Sequence, residues 1–308
     1  MVYLFLLLGL VILLVGGKYL VDGASGIASR FGLSPGLIGL TVVAFGTSAP
    51  ELLVSVNAAL KGNSEIALGN VIGSNIANIS LVLGISAILY PIVIYKSVLK
   101  LDYLATLLSS ILFYILASNG IISRLEGIFL FIIMLLLNWY FFRKISPTEE
   151  NNPSGEENQK NKAIIIYIIF LLLGVLGLYY GSDMFVDSAV EISQVFGVSE
   201  RVIGITVIAI GTSLPEMVTS IIAALKKKTD IAIGNILGSN IMNILAIIGI
   251  TSMISPIPVA DIFLKQDFIW MLGITLLLFP ILKSKLQISR WEGLILLSIY
   301  GVYIYLIL

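Results

Sequence analysis

The sequence predicts an all-α protein that crosses a membrane ten times and is built from two inverted five-helix repeats. Three observations lead to this fold class. Of 308 residues, 58% are hydrophobic and only 12% are charged, whereas about 25% is typical of a soluble domain. Long apolar segments recur along the chain, and two segments 165 residues apart are closely similar. This composition excludes a soluble globular enzyme, a disordered chain and a nucleic-acid-binding protein.

Two residue types that carry much of protein chemistry are absent from the chain. It contains no cysteine, which excludes disulfides and thiolate ligands, and no histidine, the most common transition-metal ligand and general base. Lys and Arg total 18, as do Asp and Glu, so no excess charge points to a charged macromolecular partner. Any site must therefore be built from oxygen atoms, and we expect no cofactor.

Apolar length predicts the individual spans, because an α-helix needs about 20 apolar residues to cross the hydrocarbon core. The first predicted span has no basic residues before it and exceeds the length of a signal peptide, so we expect a retained helix. The first and sixth spans are long enough to tilt or to project beyond the bilayer. The ten predicted helices cover residues 2–29, 36–60, 65–90, 101–118, 122–142, 163–195, 201–225, 230–254, 267–282 and 291–307.

One hydrophilic segment, residues 143–162, interrupts the apolar chain. Its Pro, Asn, Glu and Gly residues cannot bury a hydrophobic core, so we interpret it as a linker. It separates a first repeat, residues 1–142 with helices 1–5, from a second repeat, residues 163–308 with helices 6–10.

The distribution of basic residues predicts the orientation in the membrane. Thirteen Lys and Arg residues flank the spans on one side and four on the other, and the richer side should be cytoplasmic. We therefore expect a plasma-membrane protein with its linker in the cytoplasm and both termini outside the cell. Lys18 lies within the first helix, where its simplest interpretation is a partner for Asp22 one turn later; a role in gating is the alternative.

The two halves of the chain are copies of one unit. When each residue is aligned with the residue 165 positions later, 30 of the 56 positions from Phe31 to Ser86 are identical to those from Phe196 to Thr251. Each unit has five helices, an odd number, so the second unit must enter the membrane from the opposite side. Secondary transporters are commonly built this way, with a site at the repeat interface; channels can share the symmetry.

Two glutamates, Glu51 and Glu216, occupy equivalent positions in the middle of apolar spans. A carboxylate at the bilayer centre costs about 2.5–3.5 kcal/mol on insertion scales and usually marks an ion pathway or a paired charge. No basic residue is expected at the same depth in helices 2, 3, 7 or 8, which disfavours a structural ion pair. The two carboxylates should converge on one central point.

Each glutamate follows a proline, Pro50 or Pro215, within the segments GTSAPE and GTSLPE. Proline lacks an N–H group and clashes with the carbonyl four residues earlier, so both helices should break there. Backbone carbonyls freed by such a break, together with hydroxyls and a carboxylate, would form a hard oxygen site of the kind that Ca²⁺ or Na⁺ prefers.

Helices 3 and 8 each carry a polar stripe with a spacing of four residues, which places the stripe on one helix face. Ligation is the favoured interpretation, and hydrogen bonding between helices is the alternative. Glycines in the same helices form GxxxG patterns, which we assign to close helix packing only. The stripes are Asn70, Ser74 and Asn78 in helix 3 and Asn235, Ser239 and Asn243 in helix 8.

The paired GTS-x-PE and GN-x-x-GSN-x-x-N segments resemble the two α-repeats of the cation/calcium exchanger superfamily, specifically of prokaryotic sodium/calcium exchangers. The similarity covers essentially the whole chain. It implies that broken helices 2, 3, 7 and 8 form the core and that helices 1 and 6 slide across it. The ligands that the resemblance implies are Ala44 and Ala209 through their backbones and Thr47, Ser48, Glu51, Ser74, Asn78, Thr212, Ser213, Glu216, Ser239 and Asn243.

One position departs from the family pattern. Many of these exchangers have an acid in the second repeat where this chain has Asn243, so the site has a formal charge of −2. This departure argues against potassium co-transport.

Several functions are compatible with these residues. We favour an electrogenic, K⁺-independent antiporter that exchanges Na⁺ for Ca²⁺ as a monomer in the lipid bilayer. A proton/calcium exchanger is the alternative, and a cation channel with the same carboxylates is less favoured. A hydrolase using Ser48 or Ser213 lacks a base beside its nucleophile.

Overall fold

A computed structural model describes residues 1–62, 64–144, 164–196 and 209–307. In this part of the chain, eight helices are long and apolar enough to cross a membrane, and a ninth span is formed by a bent pair of helices. The helices are α1 Val2–Phe31, α2 Pro35–Thr47, α3 Ala49–Leu60, α4 Ile66–Leu89, α5 Val98–Ala117, α6 Arg124–Lys144, α7 Ile164–Val195, α8 Ala209–Thr212, α9 Leu214–Leu225, α10 Thr229–Ile254, α11 Phe263–Lys283 and α12 Arg290–Ile307.

These helices confirm the all-α membrane fold. Predicted helix 2 corresponds to α2 and α3 together, and predicted helix 7 corresponds to α8 and α9. The start of predicted helix 7, residues 201–208, and nearly all of the linker lie outside the described residues. The division into two repeats and a linker therefore stays a prediction.

The predicted helix breaks lie at the residue before each Ala-Pro or Leu-Pro pair. Helices α2 and α3 differ in direction by 44°, and Ser48 between them has φ −85° and ψ 7°. Ser213 has nearly the same backbone angles, φ −88° and ψ 5°, between α8 and α9. In both cases the proline follows at the start of the next helix, where its missing N–H group is harmless.

Helices α4 and α10 are not interrupted as α2 and α8 are. Instead, each widens into a π-helical segment, Asn78–Val82 in α4 and Asn243–Ile248 in α10. Neither helix contains a proline, which explains why a wide turn replaces the break that was expected there. Each wide turn begins at the last asparagine of the predicted polar stripe, and π-helical turns are frequent at functional sites.

The core of the bundle is formed by the two helices that carry these stripes. In the most apolar 18-residue window of each helix, 100% of the residues are buried for α10 and 83% for α4. The corresponding values for α6, α7 and α12 are 22%. Helix α10 also confirms the packing role of its glycines, because a β-carbon at Gly234 or Gly238 would collide with the backbone of α2. In α4 the same assignment is wrong: no described atom lies within 4 Å of a β-carbon at Gly73, and at Gly69 the nearest atom is a Phe263 ring carbon at 3.7 Å.

Two short antiparallel strand pairs join the first half of the chain to the second. Strand β1, Ile92–Val93, pairs with β4, Gln287–Ile288, and β2, Ile121–Ile122, pairs with β3, Ile257–Pro258. Strand β1 occupies the position in the first half that β3 occupies in the second, and β2 corresponds in the same way to β4. The pair β1–β4 is therefore the counterpart of the pair β3–β2, as expected for units related by a two-fold axis.

The long helices α1 and α7 pack against each other through glycine. Gly9, Gly16 and Gly23 recur every seven residues along α1. A β-carbon at these glycines would lie 2.7–2.8 Å from a backbone nitrogen of α7. The two backbones are thus in direct contact, which only glycine permits.

An ion pair connects α1 to the end of α9. Lys226 Nζ lies 2.5 Å from Asp22 Oδ1, so the expectation that Asp22 pairs with Lys18 is wrong, and Lys18 is exposed. The residues 165 positions away, Asp187 and Lys61, have the same charges but form no ion pair with each other. The two halves therefore differ in this contact.

The glycine contact generates a test of helix packing. We predict that Gly16→Val lowers the free energy of unfolding by about 1–3 kcal/mol, because a β-carbon at this position would lie 2.7 Å from the Leu178 backbone nitrogen. The measurement is the thermal transition of the purified protein in detergent. Gly273→Val is the matched control, since no atom lies within 4 Å of a β-carbon there. Equal transition temperatures for the two variants would contradict this account of the contact.

Candidate functional site

The two glutamates lie at the centre of the bundle, each in the first turn of a helix that follows a break. Glu51 in α3 and Glu216 in α9 are both 0% exposed. The described residues contain two ion pairs, and neither involves a glutamate. The positive end of the helix dipole is the compensation that the local structure offers to each carboxylate. Two buried carboxylates without a basic partner are a strong attraction for cations.

Hydroxyl groups from both halves of the chain reach Glu216. Ser48 Oγ donates to Glu216 Oε1 at 2.8 Å, and Ser239 Oγ donates to the same oxygen at 3.2 Å. Ser48 lies at the break between α2 and α3, so this bond connects the break of one half to the carboxylate of the other. Glu51 has no equivalent bonds, and neither of its oxygens has a hydrogen-bond partner.

A second group of polar atoms lies buried with no hydrogen-bond partner. Such atoms are rare in folded proteins and call for an explanation such as a bound ion. All of those contributed by the predicted ligands are oxygens, which is the donor set that Ca²⁺ and Na⁺ prefer. They are Glu51 Oε1 and Oε2, Glu216 Oε2, Ser74 Oγ, Ser213 Oγ, Asn78 Oδ1 and Asn243 Oδ1.

Asn235 holds the second half of the site together. Its Nδ2 donates to Ser220 Oγ at 3.0 Å and to the Glu216 carbonyl at 3.4 Å, so it joins α10 to α9. Its Oδ1 accepts from Thr47 Oγ1 at 3.0 Å, which lies in α2 of the other half. Asn235 therefore positions the helix turn that carries Glu216 and also the hydroxyl of Thr47.

Asn70 makes the same set of contacts in the first half. Its Nδ2 donates to Ser55 Oγ at 3.0 Å and to the Glu51 carbonyl at 3.3 Å, and its Oδ1 accepts from Thr212 Oγ1 at 3.4 Å. The sequence identified Asn70 and Asn235 as polar stripe residues but did not identify these supporting contacts. The recurring spacing of 15 residues between each asparagine and its serine is the signal that could have revealed them.

The structure brings the predicted ligands from both halves into one buried region. Direct hydrogen bonds connect Ser48 and Ser239 to Glu216, and Thr47 Oγ1 lies 3.4 Å from Ser239 Oγ. Ala209 begins α8, and its side chain is outside the described part of the chain. Thr212 is half-buried. The predicted ligands that are buried are Ala44, Thr47, Ser48, Glu51, Ser74, Asn78, Ser213, Glu216, Ser239 and Asn243.

The charge of the site comes from these two carboxylates alone, as far as the structure describes the chain. No group of three or more His, Cys, Asp or Glu side chains could hold a metal ion there. Neutral hydroxyl, amide and backbone oxygens must therefore complete any cation coordination.

Comparisons with known proteins agree with this geometry. The sequence profile of the family described as sodium/calcium exchanger protein matches residues 1–143 and 166–308. CaxA of Alkalimonas amylolytica is 40% identical over 99% of this chain and 98% of its own. The sodium/calcium exchanger MaX1 of Methanosarcina acetivorans is 34% identical over 98% of this chain and 97% of its own.

The fold also matches a solved structure. A structure of the sodium-calcium exchanger NCX_Mj superposes with a TM-score of 0.86 at 34% identity, covering 99% of this chain and 97% of that one.

Proposed function

The chain belongs to the sodium/calcium exchanger protein family, whose members are membrane transporters and not enzymes, and from this premise we propose that it expels Ca²⁺ in exchange for Na⁺. Cation/calcium exchange follows from the family and from the similarity to NCX_Mj. The choice of Na⁺ as the driving ion is our proposal. The observation that carries it is a set of seven buried oxygens without hydrogen-bond partners, three from the two carboxylates and four from neutral side chains. Within the described residues, neither carboxylate has a basic partner.

We assign the ions to the twelve predicted ligands. Ca²⁺ takes six to eight oxygen ligands and depends on anionic ones, which Glu51 and Glu216 supply. The neutral ligands repeat in both halves as the backbone carbonyl four residues before the serine at the break, the Thr-Ser pair, a serine and an asparagine. In the first half this carbonyl, that of Ala44, still accepts from Ser48 N at 3.0 Å. They are Ala44, Thr47, Ser48, Ser74 and Asn78 in the first half and Ala209, Thr212, Ser213, Ser239 and Asn243 in the second.

Charge counting favours electrogenic exchange. Two glutamates give the site a charge of −2, which one Ca²⁺ or two Na⁺ would balance. The neutral oxygens exceed what two Na⁺ ions need, so a further Na⁺ can bind without a further acid. More than two Na⁺ per Ca²⁺ moves net charge, and each charge is worth about 2.3 kcal/mol per 100 mV of membrane potential.

The same counting argues against a requirement for K⁺. An additional K⁺ ion would need its own compensating charge, and the residues at the two stripe ends, Asn78 and Asn243, are neutral amides. A proton/calcium exchanger is the second candidate, because a buried glutamate that accepts a proton could replace Na⁺ in the return step.

We propose further that the chain works as a monomer in the plasma membrane, with both termini outside and residues 143–162 in the cytoplasm. Thirteen of the seventeen flanking Lys and Arg residues support this orientation.

Removing either carboxylate tests the site. We predict that Glu51→Gln and Glu216→Gln each abolish Ca²⁺ transport, because each change halves the negative charge of a site that is 0% exposed at both glutamates. The measurement is ⁴⁵Ca²⁺ uptake into Na⁺-loaded proteoliposomes. Glu126→Gln removes a carboxylate that accepts from Ser123 at the start of α6 and is not a predicted ligand, so it should transport normally. Normal flux in either site variant would overturn the assignment.

Imposed gradients test the driving ion. We predict that Ca²⁺ uptake into Na⁺-loaded vesicles proceeds without K⁺ and changes with the clamped membrane potential, because net charge moves in each cycle. Uptake supported fully by a pH gradient without Na⁺ would establish the proton exchanger instead. Uptake that requires K⁺ would contradict the argument that the neutral residues Asn78 and Asn243 provide no charge to compensate a K⁺ ion. Uptake that does not change with membrane potential would contradict the proposal that net charge moves in each cycle.

Single cysteines test the orientation without background, since the native chain has none. We predict that Ser154→Cys is protected from a membrane-impermeant maleimide in intact cells, because residue 154 lies in the cytoplasmic linker. Ser118→Cys, in an exposed loop on the opposite face, should react under the same conditions. The reverse labelling pattern would reverse the proposed orientation.

A further inference from the structure

Four asparagines form a hydrogen-bonded group where α4 and α10 meet, at the start of the two π-helical segments. Two of them, Asn78 and Asn243, are proposed ligands. The other two, Asn75 and Asn240, precede these by three residues and belong to no ligand set above. All four are at most 1% exposed, so each amide group must find its partners inside the protein.

The orientation of Asn75 and Asn240 is fixed by the backbone of the opposite helix. Asn75 Nδ2 lies 3.5 Å from the Asn240 carbonyl, and Asn240 Nδ2 lies 3.3 Å from the Asn75 carbonyl. A backbone carbonyl has no hydrogen to donate, so only the NH₂ end of each side chain can face it. The Oδ1 of each residue must consequently point away from that carbonyl.

These two oxygens then fix the orientation of the proposed ligands. Asn243 Nδ2 donates to Asn75 Oδ1 at 3.1 Å, and Asn78 Nδ2 donates to Asn240 Oδ1 at 3.1 Å. An amide oxygen only accepts, so each ligand must turn its NH₂ group toward the neighbouring asparagine. The remaining atoms, Asn78 Oδ1 and Asn243 Oδ1, are buried without a partner.

We propose that Asn75 and Asn240 are positioning residues that hold the amide oxygens of Asn78 and Asn243 toward the transported cations. This inference rests on the proposed function. An amide rotated by 180° would present NH₂ hydrogens, which repel a cation, in place of an oxygen ligand. The hydrogen bonds of Asn75 and Asn240 remove that freedom.

The arrangement crosses between the two halves of the chain. Asn75 in α4 orients Asn243 in α10, and Asn240 in α10 orients Asn78 in α4. Each repeat therefore sets the ligand geometry of the other. A carboxylate at position 243 would face the Asn75 oxygen, acceptor against acceptor, so the neutral residue at this position matches its neighbour.

Leucine has the branched shape of asparagine but no polar atoms, and although it is larger, it removes the orienting hydrogen bonds without opening a cavity. We expect Asn75→Leu and Asn240→Leu each to weaken Ca²⁺ binding roughly 10- to 100-fold, the range typical for loss of a residue that orients a metal ligand. The measurement is equilibrium ⁴⁵Ca²⁺ binding to the purified full chain. Asn138→Leu is the control, because Asn138 is bonded only to a carbonyl in its own helix and should bind Ca²⁺ normally.

Double variants distinguish positioning from a general structural role. If Asn75 acts through Asn243, then Asn75→Leu/Asn243→Leu should bind Ca²⁺ no more weakly than Asn243→Leu alone. Asn75→Leu/Asn78→Leu should instead show the product of the two single losses, although Asn78 is nearer in sequence. A general loss of stability would lower the Ca²⁺ affinity of both double variants in the same way, so a difference between them indicates positioning.

Two results would overturn the inference: wild-type Ca²⁺ affinity in Asn75→Leu, or losses that multiply in Asn75→Leu/Asn243→Leu. If leucine prevents folding, as judged by the thermal transition, Asn75→Ala replaces it with the same expectations. Ca²⁺ binding by the wild-type chain is measured first. Its absence would contradict the proposed function itself and so remains distinguishable from failure of the positioning role.

Discussion

The burial of two carboxylates at the centre of an apolar bundle is the constraint on which the rest of this structure depends. Glu51 and Glu216 have no basic partner within the described residues, and each stands in the first turn of a helix that starts at a break. The breaks supply helix dipoles and serine hydroxyls at the depth where charge is most costly. The negative charge that the protein does not compensate is available to bind a transported cation.

Amide groups connect the helices of this region. Asn70 and Asn235 tie the polar helices to the turns that carry the glutamates, and they also bind the threonine hydroxyls of the opposite half. A hydrophobic core could hold the same helices together, but it could not determine which atom of a hydroxyl or amide faces the ion. Backbone carbonyls only accept, and an asparagine has a donating NH₂ end and an accepting oxygen end, so contacts between them determine which end faces the site.

Much of this arrangement could be predicted from the sequence, because its main determinants are local or repeated. Proline after Thr-Ser predicts the breaks, and the 165-residue offset predicts that both halves meet at one site. Three features could not be predicted. The π-helical turns at Asn78 and Asn243 carry no proline to mark them, and the ion pair of Asp22 with Lys226 connects residues 204 positions apart. The contacts between asparagines depend on how α4 and α10 cross, which periodicity alone does not determine.

Equivalent residues of the two halves make different hydrogen bonds, and this difference bears on the conformations that the molecule can adopt. Glu216 accepts from Ser48 and Ser239, while the equivalent groups, Glu51, Ser213 and Ser74, keep oxygens without partners. Every group needed for the opposite choice is therefore present in the chain. A conformation with the halves interchanged would let Ser213 and Ser74 donate to Glu51 in the same way. The free-energy difference between two such conformations would then come from the positions at which the halves differ, among them the contact of Asp22 with Lys226.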